Sequence, residues 1–399
     1  MPKRKEDADS SNYKKYTYGE NTQPEDLLYL KKKSKKDQTR VLEELTFLHG
    51  MTSSFVPIMF RLLESTIPMS FKMIAYKKIL ALESDHTGKL RQWIDSFLRI
   101  PFQQTIPFPI DFKQPDKCNG FMKECETILD QCTYGMKDAK HQFLQLIGKW
   151  LVNPESMGTA IALKGPMGTG KTTLIKHGIS KILNRPFAFV PLGGASDGSF
   201  LEGHSFTYEG STYGKIVDIL IQTKSSNPVI FFDELDKVSQ SEKGSEIIGI
   251  LTHLTDTTQN TQFHDKYFSE LDFDLSKCLF VFSYNDEQLV NPILKDRMVT
   301  LEISEYDTSD KLVIARDYLI PEFSKEYRMQ IEWTDALIVS LIQHTEKEAG
   351  VRNLKRNLDK VYSKLNLSRI LEQEVTLTME TIDEWFPTVS VETYSSMYL

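Results

Sequence analysis

Short apolar runs alternate with segments of helical periodicity through the middle of the chain. The runs contain almost no polar residues, which is typical of strands that are buried on both faces of a parallel sheet. We predict such strands at residues 160–164, 187–192, 228–234 and 278–285. Because helical segments separate them, the pattern predicts an α/β fold in which helices cover both faces of a parallel sheet.

The pattern changes on both sides of this region. Apolar residues recur at helical spacing after residue 41, prolines cluster between residues 101 and 117, and only helical periodicity remains after about residue 305. These changes predict a disordered basic tail at 1–40, a helical N-terminal region with a proline-rich linker at 41–117, the α/β core at 118–304, a small α-helical domain at 305–386 and a C-terminal tail at 387–399.

Composition and charge narrow the class of protein. The net charge is -7, 40% of the residues are hydrophobic, and no stretch approaches the ~20 apolar residues that span a membrane. The polar N-terminus lacks the apolar segment of a secretory signal, so we expect a soluble intracellular protein without membrane contact, in cytoplasm or nucleus. The lysines of residues 31–36 are expected to be solvated; a nuclear-import or nucleic-acid-binding patch is the alternative.

A phosphate-binding motif follows the first predicted strand. Residues 165–172 read G-P-M-G-T-G-K-T and match G-x-x-x-x-G-K-[ST] between a strand and a helix. Such a loop turns its N–H groups toward phosphates, its lysine reaches the β- and γ-phosphates and its threonine binds Mg²⁺. The motif predicts ATP and Mg²⁺ as ligands, with candidate residues Gly165, Pro166, Met167, Gly168, Thr169, Gly170, Lys171, Thr172 and Thr173.

Polar side chains end two further strands. Asp233 and Glu234 follow the apolar run of residues 228–232, and Asn285 follows the next strand along the chain. Ligands of parallel sheets bind at the carboxyl ends of the strands. We therefore predict that Asp233 binds Mg²⁺ through its water shell, that Glu234 acts as the general base toward water, and that Asn285 completes the water site.

These motifs belong to a longer similarity. The stretches "LGGASDGSFLEGHSFTYEGSTYGKI", "NPVIFFDELDKVS", "LKDRM" and "EAGVRNLKR" resemble, in this order, signatures of the AAA+ ATPase module of Lon proteases, and the resemblance covers roughly residues 88–386. It implies an AAA+ P-loop core, followed by an α-helical lid and preceded by a short helical region.

The resemblance also implies roles for two arginines and one tyrosine. Arg297 matches the arginine finger, which acts on the nucleotide of a neighbouring subunit, and Arg352 matches the sensor arginine of the lid. A finger that acts in trans implies a ring, as in the homohexamers of the family. Tyr208 matches the tyrosine of the first pore loop, which contacts the polypeptide substrate.

The pore-loop stretch departs from the family pattern at two positions. Glu209 stands where the family usually has an aliphatic residue, and Tyr213 stands where it usually has proline. A carboxylate beside Tyr208 is expected to repel acidic segments, which implies a narrower set of clients. The flanking glycines, Gly203, Gly210 and Gly214, are expected to let the loop move.

The expected function is an ATP-driven ring that unfolds, translocates or remodels polypeptides. The family's Ser–Lys peptidase dyad has no counterpart in these residues, so we expect no intrinsic peptidase activity. One alternative is the ATPase component of a protease whose peptidase lies on a separate chain. Another is a nucleic-acid motor or loader that uses the basic tail, although the acidic net charge does not favour it.

Overall fold

The computed structural model describes residues 24–52, 56–84, 87–113, 115–154, 160–195, 197–373 and 375–387. The chain divides into two units, residues 1–98 and 99–399. Within the described parts, no helix has both the length and the apolar character that crossing a bilayer requires.

The first unit is helical. Its last helix is strongly amphipathic and buries Trp93, Ile94 and Phe97, of which Trp93 and Phe97 stack with ring centroids 5.1 Å apart. The α-helices of this unit are Pro24–Lys32, Lys35–Thr52, Ile58–Glu64, Met69–Leu80 and Lys89–Phe97, with a 3-10 turn at Leu82–Ser84.

Two stretches outside the core differ from the sequence-based expectation. Residues 24–40 were expected to be disordered, but they fall almost entirely in helices, because their lysines, leucines and glutamine favour helix even where few apolar residues are available. Residues 1–23 lie outside the described residues. The proline-rich stretch before residue 117 belongs to the second unit and is not a free linker, since Ile106 and the side chain of Asn227 exchange hydrogen bonds of 2.8 and 2.9 Å.

A five-stranded parallel sheet forms the centre of the second unit, which confirms the predicted α/β fold. The strands along the chain are β1 (Ala160–Lys164), β2 (Phe187–Pro191), β3 (Val229–Asp233), β4 (Phe263–His264), β5 (Asp272–Phe273), β6 (Leu279–Tyr284) and β7 (Met298–Glu302). The sheet has the order β2-β3-β6-β1-β7, and β4 pairs with β5 in a short antiparallel hairpin. The four predicted strands are β1, β2, β3 and β6, whereas β7 was not predicted.

Helices cover the sheet and supply its core. Trp150 and Phe143 of the helix Lys137–Val152 pack in one buried cluster with Ile161 of β1 and Phe231 of β3. The other long helices near the sheet are Pro115–Cys132, Lys215–Thr223 and Glu242–Thr255; shorter ones are Ser199–Glu202 and Pro292–Asp296. The helix after the phosphate loop has α-helical ends at Lys171–Thr173 and Ser180–Ile182 around a π-helical segment, Leu174–Ile179.

The helices after β7 have an apolar core of their own. Phe323, Ile338, Leu358 and Tyr362 are buried together in this cluster. Side chains cap several of the helices, as at Asp307, which accepts a hydrogen bond from the Asp310 N–H at 2.7 Å. The helical segments are Thr308–Ile314, Ala315–Leu319 (π-helical), Ile320–Glu326, Asp335–Gln343, Arg352–Ile370 and Met379–Trp385.

Candidate nucleotide-binding site

The loop after β1 has the backbone of an anion cradle. Gly168 and Gly170 adopt φ angles of 78° and 93°, a left-handed conformation that side chains disfavour, and Gly170 caps the following helix. Gly165 has no room for a side chain, because a Cβ atom there would lie 2.5 Å from the carbonyl oxygen of Ile303. A glycine-rich loop of this conformation that leads directly into a helix N-terminus is an arrangement that suits phosphate.

Lys171 is a buried cation at the centre of this cradle. Its side chain is only 9% exposed, and Nζ donates to Gly165 O at 2.5 Å, to Pro166 O at 3.0 Å and to Asn285 Oδ1 at 2.9 Å. Burial lowers the pKa of Lys171 to about 8, and the nearby carboxylates of Asp233 and Asp236 oppose this shift. Because its three acceptors are neutral, this ammonium group suits an anionic ligand.

The two predicted acidic residues lie side by side where β3 ends. The Ser283 hydroxyl, on the neighbouring strand β6, donates to Asp233 Oδ1 and accepts a hydrogen bond from the Glu234 N–H at 3.4 Å. Glu234 has a left-handed backbone with φ 60°. Its carboxylate lies against Gly193, where a Cβ atom would be 2.5 Å from Glu234 Oε2.

The helical region after β7 contacts the phosphate loop directly. The Val351 N–H donates to Gly168 O at 3.1 Å, and Gly350 fits only without a side chain, because its Cβ would lie 2.4 Å from Met167 O. Arg352 begins the helix Arg352–Ile370. The Glu348 carboxylate caps this helix by accepting from the N–H groups of residues 353 and 354, at 2.8 and 2.9 Å. The start of the helix Arg352–Ile370 is thus fixed beside the phosphate loop.

One cavity of about 470 Å³ joins these parts, a size typical of small-ligand sites. Its lining includes most of the predicted site residues: Met167, Gly168, Thr169, Gly170, Lys171, Thr172, Thr173, Asp233, Glu234, Asn285 and Arg352. Within the described residues, no group of three or more His, Cys, Asp or Glu side chains could hold a metal ion. Mg²⁺ at Thr172 and Asp233 would take its further ligands from water and phosphate oxygens.

Sequence reasoning missed one end of this cavity. Tyr134, Tyr306 and Tyr318 line it together with Ile314 and Leu319. The Tyr306 hydroxyl donates to Tyr134 O at 3.1 Å and to Thr169 O at 2.9 Å, which fixes its ring beside the phosphate loop. These aromatic residues come from separate helices and loops, so no local motif marks them.

Arg297 lies apart from the cavity. It follows the helix Pro292–Asp296, and Nη1 donates to Asp256 Oδ2 at 2.5 Å and to Thr252 O at 3.3 Å. Hydrogen bonds from Thr258, followed by those from Arg297, hold the pKa of Asp256 at about 2. The side chain of Arg297 is thus held in one orientation by its own subunit, and its role toward a nucleotide stays a prediction.

Residues 203–214 form a loop with a narrow base. A Cβ atom on Gly203 would lie 2.6 Å from Gly214 N, and one on Gly214 would lie 2.1 Å from Leu201 O. These two glycines thus allow two backbone segments to approach closely, whereas the expectation was that they give the loop freedom. The carboxylate of the fully buried Asp265 accepts from the Gly214 N–H at 2.7 Å, and burial raises the pKa of Asp265 to about 6.

The aromatic residues of this loop divide into two groups. Phe206 and Tyr213 pack edge-on against Tyr267, with ring centroids 5.5 and 6.1 Å apart, and Tyr213 also stacks on Phe268. Tyr208 is instead 69% exposed, at the tip of the loop beside the exposed Glu209. The packed rings fix the loop, and Tyr208 is its exposed aromatic residue.

The buried charge of Lys171 predicts a pH-dependent stability difference. Below pH 8 the folded state keeps this ammonium buried, and between pH 8 and the ordinary value of 10.5 it binds fewer protons than the unfolded state. Relative to Lys171→Met, the wild-type protein without nucleotide should therefore gain about 2–3 kcal/mol of unfolding free energy across this window. Urea unfolding of both proteins at pH 7.5 and pH 10 measures the difference, and an equal pH response of the two would contradict it.

Comparison with known proteins places this site in a family. Residues 161–305 match the family described as "ATPase family associated with various cellular activities (AAA)". The chain is 35% identical over 356 residues to "Lon protease homolog" of Acanthamoeba polyphaga mimivirus, which is 86% of this chain and 34% of that protein. It is 33% identical over 338 residues to "Lon protease" of Fusobacterium nucleatum, 83% of this chain and 42% of the relative.

A third relative shows the same partial coverage. The chain is 36% identical over 278 residues to "Lon protease homolog, mitochondrial" of Yarrowia lipolytica, which is 69% of this chain and 23% of that protein. This chain thus matches less than half the length of each of these relatives. Residues 161–305, which the family model matches, contain the phosphate loop and the acidic pair. The chain therefore belongs to the AAA ATPases and is related to the Lon proteases through the part that holds this domain.

Proposed function

We propose that this protein is a Mg²⁺-dependent ATPase that works as a homohexameric ring and unfolds, translocates or remodels polypeptides. The observation that carries the proposal is the buried ammonium of Lys171, which has only neutral acceptors and lines one cavity with the carboxylates of Asp233 and Glu234. Such a site suits a polyanionic substrate whose hydrolysis needs a base.

The residues of the cavity have distinct tasks in this proposal. Lys171 and the N–H groups of the phosphate loop bind the phosphates of ATP, and Thr172 and Asp233 hold Mg²⁺. Bound Mg²⁺ supplies positive charge that offsets the charge of the phosphates. Glu234 orients a water molecule and accepts its proton. Asn285, which already accepts a hydrogen bond from Lys171, fixes the position of the ammonium group.

The two arginines serve different subunits in the proposal. Arg352 lines the cavity of its own subunit, where its charge faces the phosphate loop. Arg297 precedes β7, whereas the phosphate loop follows β1, and these parallel strands pair from Ala160↔Met298 to Lys164↔Glu302. The five residues of β7 lie between Arg297 and the edge of the sheet that holds the phosphate loop, so six steps of about 3.3 Å separate the two by about 20 Å along the strands. This separation supports a role at the site of a neighbouring subunit.

Tyr208 is the proposed contact for the polypeptide. Its exposed ring offers a large contact area at a small cost in side-chain entropy, which suits binding to chains of many sequences. The packed base of the loop, between Phe206 and Tyr213, supports transmission of force from the ATPase domain.

A stimulation experiment tests the proposed function. ATP hydrolysis by the purified protein should rise several-fold with a permanently unfolded, carboxymethylated protein and should not respond to single- or double-stranded DNA. Hydrolysis that responds to DNA and to no polypeptide would refute the proposal and favour a nucleic-acid motor.

Tyr208→Ala should separate ATP hydrolysis from work on a substrate. We expect the ATP-dependent unfolding of a fluorescent protein with an unstructured tag to slow by about tenfold, because the loss of one aromatic contact in each subunit costs roughly 1–2 kcal/mol. The basal ATPase rate should change less than about twofold. Tyr76→Ala, at another exposed tyrosine, is the matched control. If Tyr208→Ala unfolds the fluorescent protein as fast as the wild type does, the loop is an ordinary surface loop and Tyr208 does not grip the substrate.

A further inference from the structure

Ser283 is a polar residue inside an apolar strand. All six residues of β6, Leu279–Tyr284, are buried, and Ser283 itself is 1% exposed. A hydroxyl group in such a place is unfavourable unless it forms hydrogen bonds, and an alanine or valine would fill the strand more simply. The hydrogen-bond partners of this hydroxyl therefore decide why a serine occupies the position.

Both partners of Ser283 belong to the acidic pair. Its O–H group donates a hydrogen bond to Asp233 Oδ1, which occupies one carboxylate oxygen and fixes the orientation of the Asp233 side chain. The same Oγ accepts a hydrogen bond from the Glu234 N–H. A hydroxyl can donate and accept at once, which a methyl group, a thioether or an ammonium group cannot do. One oxygen atom on β6 thus forms hydrogen bonds with both acidic residues at the end of β3.

The connection has a geometric consequence for Glu234. This residue holds a left-handed backbone, φ 60°, which costs free energy for a residue other than glycine. Its N–H is the group that Ser283 binds, so the hydrogen bond acts where the chain turns from β3 toward the cavity. The direction of the Glu234 side chain follows from this turn, and Gly193 leaves space for the carboxylate.

We propose that Ser283 is a positioning residue for ATP hydrolysis, which sets the Asp233 carboxylate for Mg²⁺ and the Glu234 carboxylate for water through its single hydroxyl group. This inference rests on the proposed ATPase function. Ser283 also lines the cavity, but its hydroxyl group is engaged by Asp233 and Glu234, so we expect it to form no hydrogen bond with the nucleotide. The removal of its hydroxyl should therefore affect metal use and turnover, and should leave metal-free binding of nucleotide intact.

Ser283→Ala and Ser283→Thr test the proposal in the full chain. For Ser283→Ala we expect kcat to fall about tenfold to a hundredfold, the effect of losing a hydrogen bond to a charged group, and the Mg²⁺ concentration for half-maximal rate to rise several-fold. The affinity for a fluorescent ADP analogue in EDTA should stay within about twofold. Ser283→Thr keeps the hydroxyl and should restore at least about a third of the wild-type kcat and the wild-type Mg²⁺ requirement.

A buried serine outside the site provides the matched control. Ser180 is 4% exposed, and its Oγ donates to Arg185 O at 3.0 Å at the far end of the helix after the phosphate loop. Ser180→Ala loses a comparable buried hydrogen bond but should keep the wild-type Mg²⁺ requirement. Thermal unfolding of each variant shows that it is folded before its kinetics are compared.

Several outcomes would overturn the inference. An unchanged kcat and Mg²⁺ requirement in Ser283→Ala would show that the hydroxyl does not position the acidic pair. A loss of metal-free ADP binding as large as the loss of kcat would show general damage to the site. A folded Ser283→Thr variant that is as slow as Ser283→Ala would show that activity does not depend on the hydroxyl group. The wild-type measurement tests the proposed function separately, because a wild-type protein without ATPase activity would refute that function itself.

Discussion

Glu234→Gln should slow ATP hydrolysis by about two to four orders of magnitude, the range that general-base catalysis supplies, while ATP still binds. The carboxylate lines the nucleotide cavity next to Asp233 and can accept a proton, which the amide of glutamine cannot do. The two side chains have nearly the same shape, so the contact with Gly193 and the turn after β3 should persist. Single-turnover hydrolysis of radiolabelled ATP, together with equilibrium binding, measures both effects.

Because Glu234→Gln should hold ATP without hydrolysing it, the variant can also be used to capture clients. If hydrolysis releases the polypeptide, Glu234→Gln with ATP should retain clients, and mass spectrometry of the retained proteins would identify them. Glu242→Gln, an exposed residue at the start of the helix Glu242–Thr255, is the control for a lost carboxylate. Retained turnover by Glu234→Gln would refute the assignment of the base.

Lys171→Met should weaken ATP binding by at least about a hundredfold, because it removes charge-assisted hydrogen bonds of about 1.5–3 kcal/mol each. The change should not destabilise the nucleotide-free protein near pH 7, since it removes a buried cation whose acceptors are neutral main-chain and amide groups. Isothermal calorimetry with ATP and urea unfolding without ATP measure the two effects.

A neighbouring lysine provides the control for Lys171→Met. Lys176 lies on the same helix but is exposed, so Lys176→Met should leave both affinity and stability close to those of the wild type. Wild-type affinity for ATP in Lys171→Met would show that the nucleotide does not bind in the cradle of Gly168 and Gly170. A large fall in stability would instead show that the ammonium is well satisfied without an anion.

The strands that carry the site were predictable because they are central. β1, β3 and β6 are buried on both faces and read as continuous apolar runs, and polar residues at their ends then indicate the site edge. β7 was missed because the polar residues Thr300 and Glu302 interrupt its apolar residues. There Val299 and Glu302 are exposed while Met298 and Leu301 are buried, so no apolar run forms.

The rest of the site depends on contacts between distant parts of the chain. Ser283 contacts the acidic pair only because β6 lies beside β3, which brings it to Asp233, 50 residues earlier in the sequence. Tyr306 and Gly350 reach the phosphate loop through the fold of the helical region after β7. Gly350 lies in the stretch EAGVRNLKR, but that stretch does not reveal its contact with the loop, and Tyr306 stands in no motif. Local sequence predicts the groups that perform chemistry, whereas tertiary packing selects the residues that orient them.

The narrow base of the loop at residues 203–214 has a mechanical consequence. Its two ends are joined by the hydrogen bond from the His204 N–H to Thr212 O, 3.0 Å, and are anchored by Asp265 through the Gly214 N–H. A pull on Tyr208 therefore loads both ends of the loop together, and the tension passes into Asp265 and the aromatic residues that follow it. Such a loop is stiff. A small displacement of its base therefore moves its tip by a similar distance, because little of the motion is lost to deformation of the loop.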